Sequence, residues 1–408
     1  MAPNRSIGRR IQAYRLRRGM TQEVLAGRTG KSISWLSQIE RGLRGVEKWR
    51  VLLELAEALE VDPRELIEVP VALGPNGGVA FEAISAMRTA LTDYTTLMTA
   101  MGGRPDEGSV KSNLPAVRQN VDHANRLYQA AHYLETGRLV ADLIAQAEQA
   151  SRDPNVDSRE SLAALAEVYY IAAKTLTKVS ETELSWVAAE RGIGAAQRAE
   201  DPLLIGAGAY HLGHAFLRAG RADESVNVTE RAASALMSRR HVGPSEQALV
   251  GGLSLTALLG AARANDAYGV REFLNRARTV AAALGEDGND HWIAFGPTNV
   301  AIHELSVAIE LGDVRAAVRQ GERIDTSKLD ARLVGRRTQV LLDLARAYVQ
   351  RRQDAAAVNT LLEAERAAQE TVRYNLIVRD LVREMLAREH RRSTPELRSL
   401  ARRLDLIT

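Results

Sequence analysis

The stretch Thr21–Gly42, TQEVLAGRTGKSISWLSQIERG, limits what this chain can fold into more than any other. Thr21 stands as an N-cap whose oxygen can take orphan amides, and Glu23 adds a carboxylate at the positive end of the first helix. Gly30 ends that helix. Ser32 then caps a second helix on which Leu36 and Ile39 fall on one side while Ile33, Ser34, Ser37, Gln38 and Arg41 fall on another. The pattern is two short helices joined by a tight turn. The small or hydrogen-bonding residues of the outer face suit close approach to base edges, and Gln38 offers a donor and an acceptor that match adenine N7 and N6.

Further residues fall at fixed spacing around this unit: Ile7-Gly8, Arg15, Arg18-Gly19-Met20-Thr21-Gln22, Leu25-Ala26, Gly30, Leu36-Ser37, Ile39-Glu40-Arg41-Gly42 and Leu55-Ala56-x-Ala58-Leu59. On these residues, positions 7–67 resemble the Cro/repressor-type helix-turn-helix domain of the XRE family. The resemblance implies double-stranded DNA as partner, with Gln22 on a backbone phosphate, Ile33, Ser34, Ser37 and Gln38 toward the major groove, and Arg41 and Arg44 flanking phosphates. Ser32 and Trp35 join this candidate set, Trp35 either packing over the sugar-phosphate strand or shielding the turn. Lys31 departs from the family, which more often has an apolar residue there, and is placed to reach a phosphate. Arg15 and Glu40 match a structural ion pair of such domains rather than a DNA contact.

Charge agrees with that division. Residues 1–68 hold 13 Lys and Arg against 9 Asp and Glu, and residues 69–408 hold 41 against 42. The excess positive charge sits in the first domain, with Arg9, Arg10, Arg15, Arg17, Arg18 and Lys48 among its sources, so DNA binding is expected to weaken steeply with salt. A second basic cluster at Arg388, Arg391, Arg392, Arg398, Arg402 and Arg403 is diluted by acidic neighbours and reads as a solvated helix face. The absence of cysteine excludes disulfides, thiolate metal sites and a cysteine nucleophile. No long uncharged apolar run and no charged-then-apolar leader is present, which reads as a cytoplasmic chain with no membrane partner.

Aromatic residues make up only 4% of a chain dominated by helix formers, and no convincing strand pattern occurs after Val79, so the expected fold is all-α. The expected organisation is a five-helix helix-turn-helix domain over 1–68, a linker over 69–78 within the Pro- and Gly-rich EVPVALGPNGG, and a helical repeat domain over 79–408. Val46–Leu59 carries an apolar stripe of Val51, Leu52, Leu55 and Leu59, and Asp62-Pro63 opens a last short helix. In the third region, breaks are expected at 104–113, Gly137, 153–155, Asp201-Pro202, Gly220, Gly243-Pro244, 285–289, Gly312-Asp313, 352–354 and 393–395.

Several helix pairs share a spacing. Leu212-Gly213-x-x-Phe216 is followed by Gly220, Ser225 and Ala232, and Leu344-Ala345-x-x-Tyr348 by Ala357, Leu361 and Ala364. Leu165-Ala166-x-x-Tyr169 opens a third, and Gly312, Ala317 and Ile324 fit the latter half of a fourth. These resemble tetratricopeptide repeats, though the starts depart from the ~34-residue period of a regular array. A repressor-like head on such an α-solenoid resembles two groups of regulators, the peptide-pheromone sensors that include PlcR and Rgg, and the XRE-plus-repeat regulators abundant in actinobacteria. The architecture implies a homodimer, an inverted-repeat operator, and a small-molecule or peptide effector.

For the effector, His291–Glu304 places Trp292 and Phe295 before a glycine-proline break, with Asn299 and His303 sharing a face on the next helix. Aromatic rings beside polar groups suit a selective pocket, or else Trp292 and Phe295 fill core. His211 and His214, at i and i+3, border the same concave surface or pack within it, without the carboxylate or cysteine that a metal site would need. Trp186 lines that groove or is buried between pairs. No recognised catalytic motif occurs and no cofactor is expected, so the chain reads as a non-enzymatic regulator. The alternative is an interaction scaffold whose groove holds a partner protein while the head tethers it to DNA. The near-neutral repeat domain suggests a mostly apolar ligand or plain dimerisation.

Overall fold

The computed structural model describes residues 7–8, 11–12, 14–16, 20–44, 46, 49–59, 61, 66, 79–92, 113–389 and 392–407. The chain divides into two compact units, Met1–Phe81 and Glu82–Thr408. Residues 69–78, the expected linker, and Asp62-Pro63, the expected start of a short helix, lie outside the described residues.

In the first unit, residues 7–8, 11–12 and 14–16 are helical and are followed by α1 (Gln22–Arg28), α2 (Ile33–Glu40) and α3 (Trp49–Leu59). The Thr21 hydroxyl accepts from Val24 N at 3.2 Å and the Ser32 hydroxyl from Trp35 N at 3.1 Å, so both caps form where their residue types direct them. Gly30 turns the chain at φ +63° between them. Ile11, Leu25, Leu36, Ile39, Leu55 and Leu59 bury together as the core. Gly8 is required by that packing, because a Cβ there would sit 2.0 Å from the Ile39 carbonyl oxygen. The described part of the third helix, Trp49–Leu59, carries the expected stripe positions.

Among its described residues the second unit has no strand, only helices with the turns and loops that join them and one isolated bridge between Gly288 and Phe295. In order come α4 (Val79–Thr92), which opens at the division, then α5 (Leu114–Gln129), α6 (Tyr133–Ala150), α7 (Ser158–Lys178) and α8 (Thr182–Arg198). There follow α9 (Pro202–Arg218), α10 (Ala222–Met237), α11 (Pro244–Arg263), α12 (Ala267–Leu284), α13 (Pro297–Glu310) and α14 (Val314–Gly321). The chain continues through α15 (Val334–Gln350), α16 (Asp354–Ala367), α17 (Gln369–Tyr374), α18 (Leu376–Ala387) and α19 (Leu397–Arg403).

One turn design recurs between these helices. Ala131, Ser180, Glu200, Gly220, Asn265, Gly312 and Arg352 each take positive φ at the centre of a three-residue link. The next residue's amide reaches back to a carbonyl in the last turn, as in Asp201 N to Ala196 O at 3.1 Å and Gln353 N to Tyr348 O at 2.9 Å. This Schellman closure satisfies the helix end and reverses the chain, so successive helices run antiparallel. Gly137, expected to break a helix, instead lies inside α6, where a Cβ would meet Ala83 and Met87 at 3.3 Å. Its small size serves close packing against α4.

The helices form two layers. The first helix of each pair packs on the next first helix, in the order α5, α7, α9, α11, α13 and α15, while α8, α10, α12, α14 and α16 lie outside. Helix α15 returns to α5. The Tyr133 hydroxyl pairs with that of Thr371 at 3.1 Å, and the Leu134 amide donates to Glu370 at 3.0 Å, so distant parts of the array meet. The inner layer therefore rings a cavity instead of offering an open groove. Tyr170, not the Tyr169 of the repeat spacing, fills the gap between pairs, its ring lying where Cβ atoms on Gly192 and Gly208 would stand, while the Tyr169 hydroxyl donates to Glu148 at 2.5 Å. Three of the C-terminal arginines are ion-paired, Arg388 to Asp354 at 2.7 Å, Arg398 to Glu389 at 2.9 Å and Arg403 to Glu365 at 2.7 Å. Arg391 lies outside the described residues.

Candidate DNA-reading helix and candidate ligand cavity

Helix α2 separates its two faces cleanly. Leu36, Ile39 and Glu40 are buried, Ile33 and Ser34 are exposed, and Ser37 and Gln38 are half-buried at its edge. Ser32, Arg41 and Arg44 are exposed, with Arg41 as the C-cap and its Nε on the Ser37 carbonyl at 3.3 Å. Trp35 is half-buried against the core.

Gln22 and Lys31, expected on phosphates, have partners within the head, and Arg15 and Glu40 form an ion pair. Arg15 grips Glu40 with Nε at 2.6 Å and Nη2 at 2.9 Å, and Gln22 donates to the same carboxylate at 2.7 Å. The Gln22 amide is thus the third donor on a buried anion, which compensates for its lost hydration. Lys31 lies 3.4 Å from Glu54, a partly exposed pair that a phosphate can displace at little cost.

In the second unit, a cavity of about 230 Å³ lies inside the ring of first helices. Lys174, Thr177 and Lys178 enter from α7, and Tyr210, His211, His214 and Arg218 from α9. Helix α13 supplies Ile302, His303, Ser306 and Glu310, and α15 supplies Arg336, Gln339, Asp343 and Arg346. Each set repeats every three or four residues because one helical stripe faces inward. Trp292 enters from the loop before α13, where it and His291 are held at φ +59° and +51°, a conformation costly for bulky residues. Reciprocal amide bonds between Gln129 and Asn289, at 2.9 and 3.1 Å, pin that loop to α5.

Of the residues singled out from the sequence, His211, His214, Trp292 and His303 meet at this cavity. Phe295, Asn299 and Trp186 do not line it. Phe295 is 1% exposed and fills the space over Gly251, where a Cβ would fall 2.0 Å from its ring. Asn299 is buried and holds the Ala294 carbonyl at 2.5 Å. Trp186 lies at the surface, with its ring 5.5 Å from Phe216 and the Arg221 guanidinium 4.7 Å above it. Lys174, Lys178, Arg218, Arg336 and Asp343 also line the cavity without having been singled out; they come from three helices far apart in sequence, and only the pair Lys174 and Lys178 sits one helical turn apart.

Burial sets the protonation states. His211 and His303 are pushed down to about 3 by desolvation and His214 well below its usual value, so all three imidazoles are neutral at pH 7. The His303 Nδ1 lies 2.9 Å from the Asn299 carbonyl, which can only accept, so the proton resides there and Nε2 is an acceptor. Desolvation lowers Lys174 and Lys178 to about 7 and raises Asp343 to about 6. Among the described residues no group of three or more His, Cys, Asp or Glu is placed to hold a metal ion, and no helix is long and apolar enough to cross a membrane.

These features define a helix-turn-helix head joined to a tetratricopeptide-like helical array. Residues 6–68 match the family described as a helix-turn-helix domain. No curated protein matches the chain. Among solved structures, the chain is similar to a Rap protein complexed with Competence and Sporulation Factor, at 12% identity over 90% of this chain and 99% of that one, with a TM-score of 0.49. It is also similar to aspartyl phosphate phosphatase F from Bacillus subtilis, at 11% identity over 93% and 96%, with a TM-score of 0.47. A third similar structure is Bacillus thuringiensis PlcR in complex with the peptide PapR7 and DNA, at 14% identity over 69% and 96%, with a TM-score of 0.30.

Proposed function

We propose that this chain is a cytoplasmic, non-enzymatic transcription regulator that reads operator DNA with α2 and senses a small molecule or short peptide in the cavity of the array. The observation that carries the DNA reading is the division of α2, with Leu36 and Ile39 in the core while Ile33, Ser34, Arg41 and Arg44 face outward. In this reading Ser34, Ser37 and Gln38 address base edges and Arg41 and Arg44 address phosphates. The chain acts as a homodimer, placing two recognition helices about 34 Å apart on an inverted repeat. An effector changes operator affinity only by binding one dimer arrangement better than another. The ringed cavity favours such an effector over a partner protein laid in an open groove.

The test is a gel shift against operator fragments with Gln38→Ala combined with Arg41→Ala. Specific binding is expected to vanish while the oligomeric state is unchanged. Equal affinity and equal sequence preference in the double variant would falsify the assignment of α2.

A further inference from the structure

The lining of the cavity is unbalanced in charge. Lys174, Lys178, Arg218, Arg263, Arg336 and Arg346 line it against only two carboxylates, Glu310 and Asp343. Glu310 serves both Arg346, at 2.9 Å, and Arg263, at 3.6 Å. Asp343 accepts from Ser306 at 2.6 Å and Gln339 at 3.0 Å, and Lys174 donates to the neutral amide of Asn125. Among the described residues Lys178, Arg218 and Arg336 have no ion pair and no side-chain hydrogen bond.

Lys178 feels the other two cations. Lys178 is pushed down first by desolvation and then by Arg218 and Arg336, with Asp343 alone opposing. Arg218 is lowered by desolvation and Arg263, and His214 feels Arg336 and Lys178 besides the other two histidines. Lys178 and Arg336 are half-buried and the Arg218 side chain reaches solvent, so the space is only partly enclosed; gathering like charges around it still raises the free energy of the empty protein, and a counter-anion removes that cost on entry. Such uncompensated clusters mark binding sites more than structural ones.

The remaining lining says what accompanies the charge. The rings of Tyr128 and Tyr133 lie 5.5 Å apart, those of Tyr210 and His214 4.6 Å apart, and Trp292 stands on the pinned loop. The cavity, about 230 Å³, is below the roughly 300–1,000 Å³ usual for drug-sized ligands, so its occupant is compact. We propose that the cavity binds a small organic dianion, carrying carboxylate or phosphate groups on one flat ring, with its charges held by Lys178, Arg218 and Arg336 and its ring against Tyr128, Tyr210 and Trp292. This rests on the reading of the cavity as the effector site. It replaces the expectation of a mostly apolar ligand, because a net charge near zero over the whole array hides the segregation of basic groups to its interior.

The test is calorimetric titration of the full chain at fixed ionic strength with phenyl phosphate, phthalate and neutral benzamide. Saturable binding of one or both anions, and none of benzamide, is expected, the two anions separating phosphate from carboxylate recognition. Lys178→Gln and Arg336→Gln should each weaken binding by about tenfold, less than truncating one partner of a fully buried charge pair, because both side chains are half-buried. Arg240→Gln, an exposed arginine that does not line the cavity, should leave it unchanged. Circular dichroism of the cavity variants should show full helicity. Benzamide binding as tightly as the anions, with loss in Trp292→Ala, would overturn the anionic character and leave effector sensing standing. Failure of every probe, or equal anion affinity in Arg336→Gln, would overturn the proposal, while the gel shift decides the DNA reading separately.

Discussion

The Gln22 amide donates at 2.7 Å to the Glu40 carboxylate that Arg15 already holds through two bonds. The first turn of α1 is thereby tied to the end of α2 and to the helical segment before them. Glu40→Gln keeps the shape but removes the charge that both donors address. It is expected to destabilise the head by about 1.5–3 kcal/mol, the range for hydrogen bonds to charged groups. Hydrogen exchange on the full chain should show faster exchange of α1 and α2 amides and unchanged protection in the array. Equal protection of the head in both proteins would mean that the triad contributes nothing to its stability.

Arg44 is exposed just beyond the recognition helix. If it contacts a phosphate, Arg44→Ala should weaken operator and unrelated DNA alike and reduce the slope of log affinity against log salt by about 1. Gln38→Ala should instead flatten the difference between operator and unrelated sequence. An Arg44→Ala variant with an unchanged salt slope would remove this arginine from the interface.

The left-handed links offer a prediction about stability alone. Glu200 at φ +52° and Arg352 at φ +57° occupy a conformation that costs a side-chain-bearing residue about 1–2 kcal/mol and glycine almost nothing. Glu200→Gly and Arg352→Gly are each expected to stabilise the array by up to about 1 kcal/mol, the gain being reduced by the greater freedom of glycine in the unfolded chain. Denaturant midpoints in urea measure it. A loss of stability in both variants would contradict the turn geometry.

Those links also show what the sequence concealed. The helix-turn-helix was legible because its caps, turn glycine and apolar stripe lie within one short stretch, and the repeat character because small residues recur where helices touch. The turns at Ala131, Ser180 and Asn265 were less legible, since the closure is a backbone feature that several residue types tolerate, whereas Gly137 misled because glycine equally serves close packing. Phe295 and Trp292 look alike in sequence. Gly251 on a distant helix makes room for one as core, and the pinned loop turns the other to the cavity. The basic cluster draws Lys178, Arg218 and Arg336 from three helices, so no local window contains it.

The cavity lysines make the ligand-free protein respond to pH in a direction that can be worked out. Lys178, facing Arg218, Arg336 and Asp343, and Lys174, facing Asn125, Glu167 and Tyr128, are both pushed down to about 7 in the folded chain, against an ordinary value of 10.5. Between pH 7 and 10 the unfolded chain therefore binds more protons than the folded one, and stability rises with pH. Other shifted groups act outside that window. Glu167, raised to about 7, and Asp343, raised to about 6, favour the folded state at low pH and lose that contribution as pH climbs to neutrality. The three histidines titrate below 7 in either state, and the buried tyrosines only from about 10 upward. The thermal midpoint at fixed ionic strength should accordingly rise from pH 7.5 to 9.5. Lys178→Met should remove part of that rise and lift the midpoint at pH 7.5 by about 1–3 °C, a small shift because the chain is long. A flat or falling midpoint in the unaltered protein would show that the cavity does not hold its lysines desolvated.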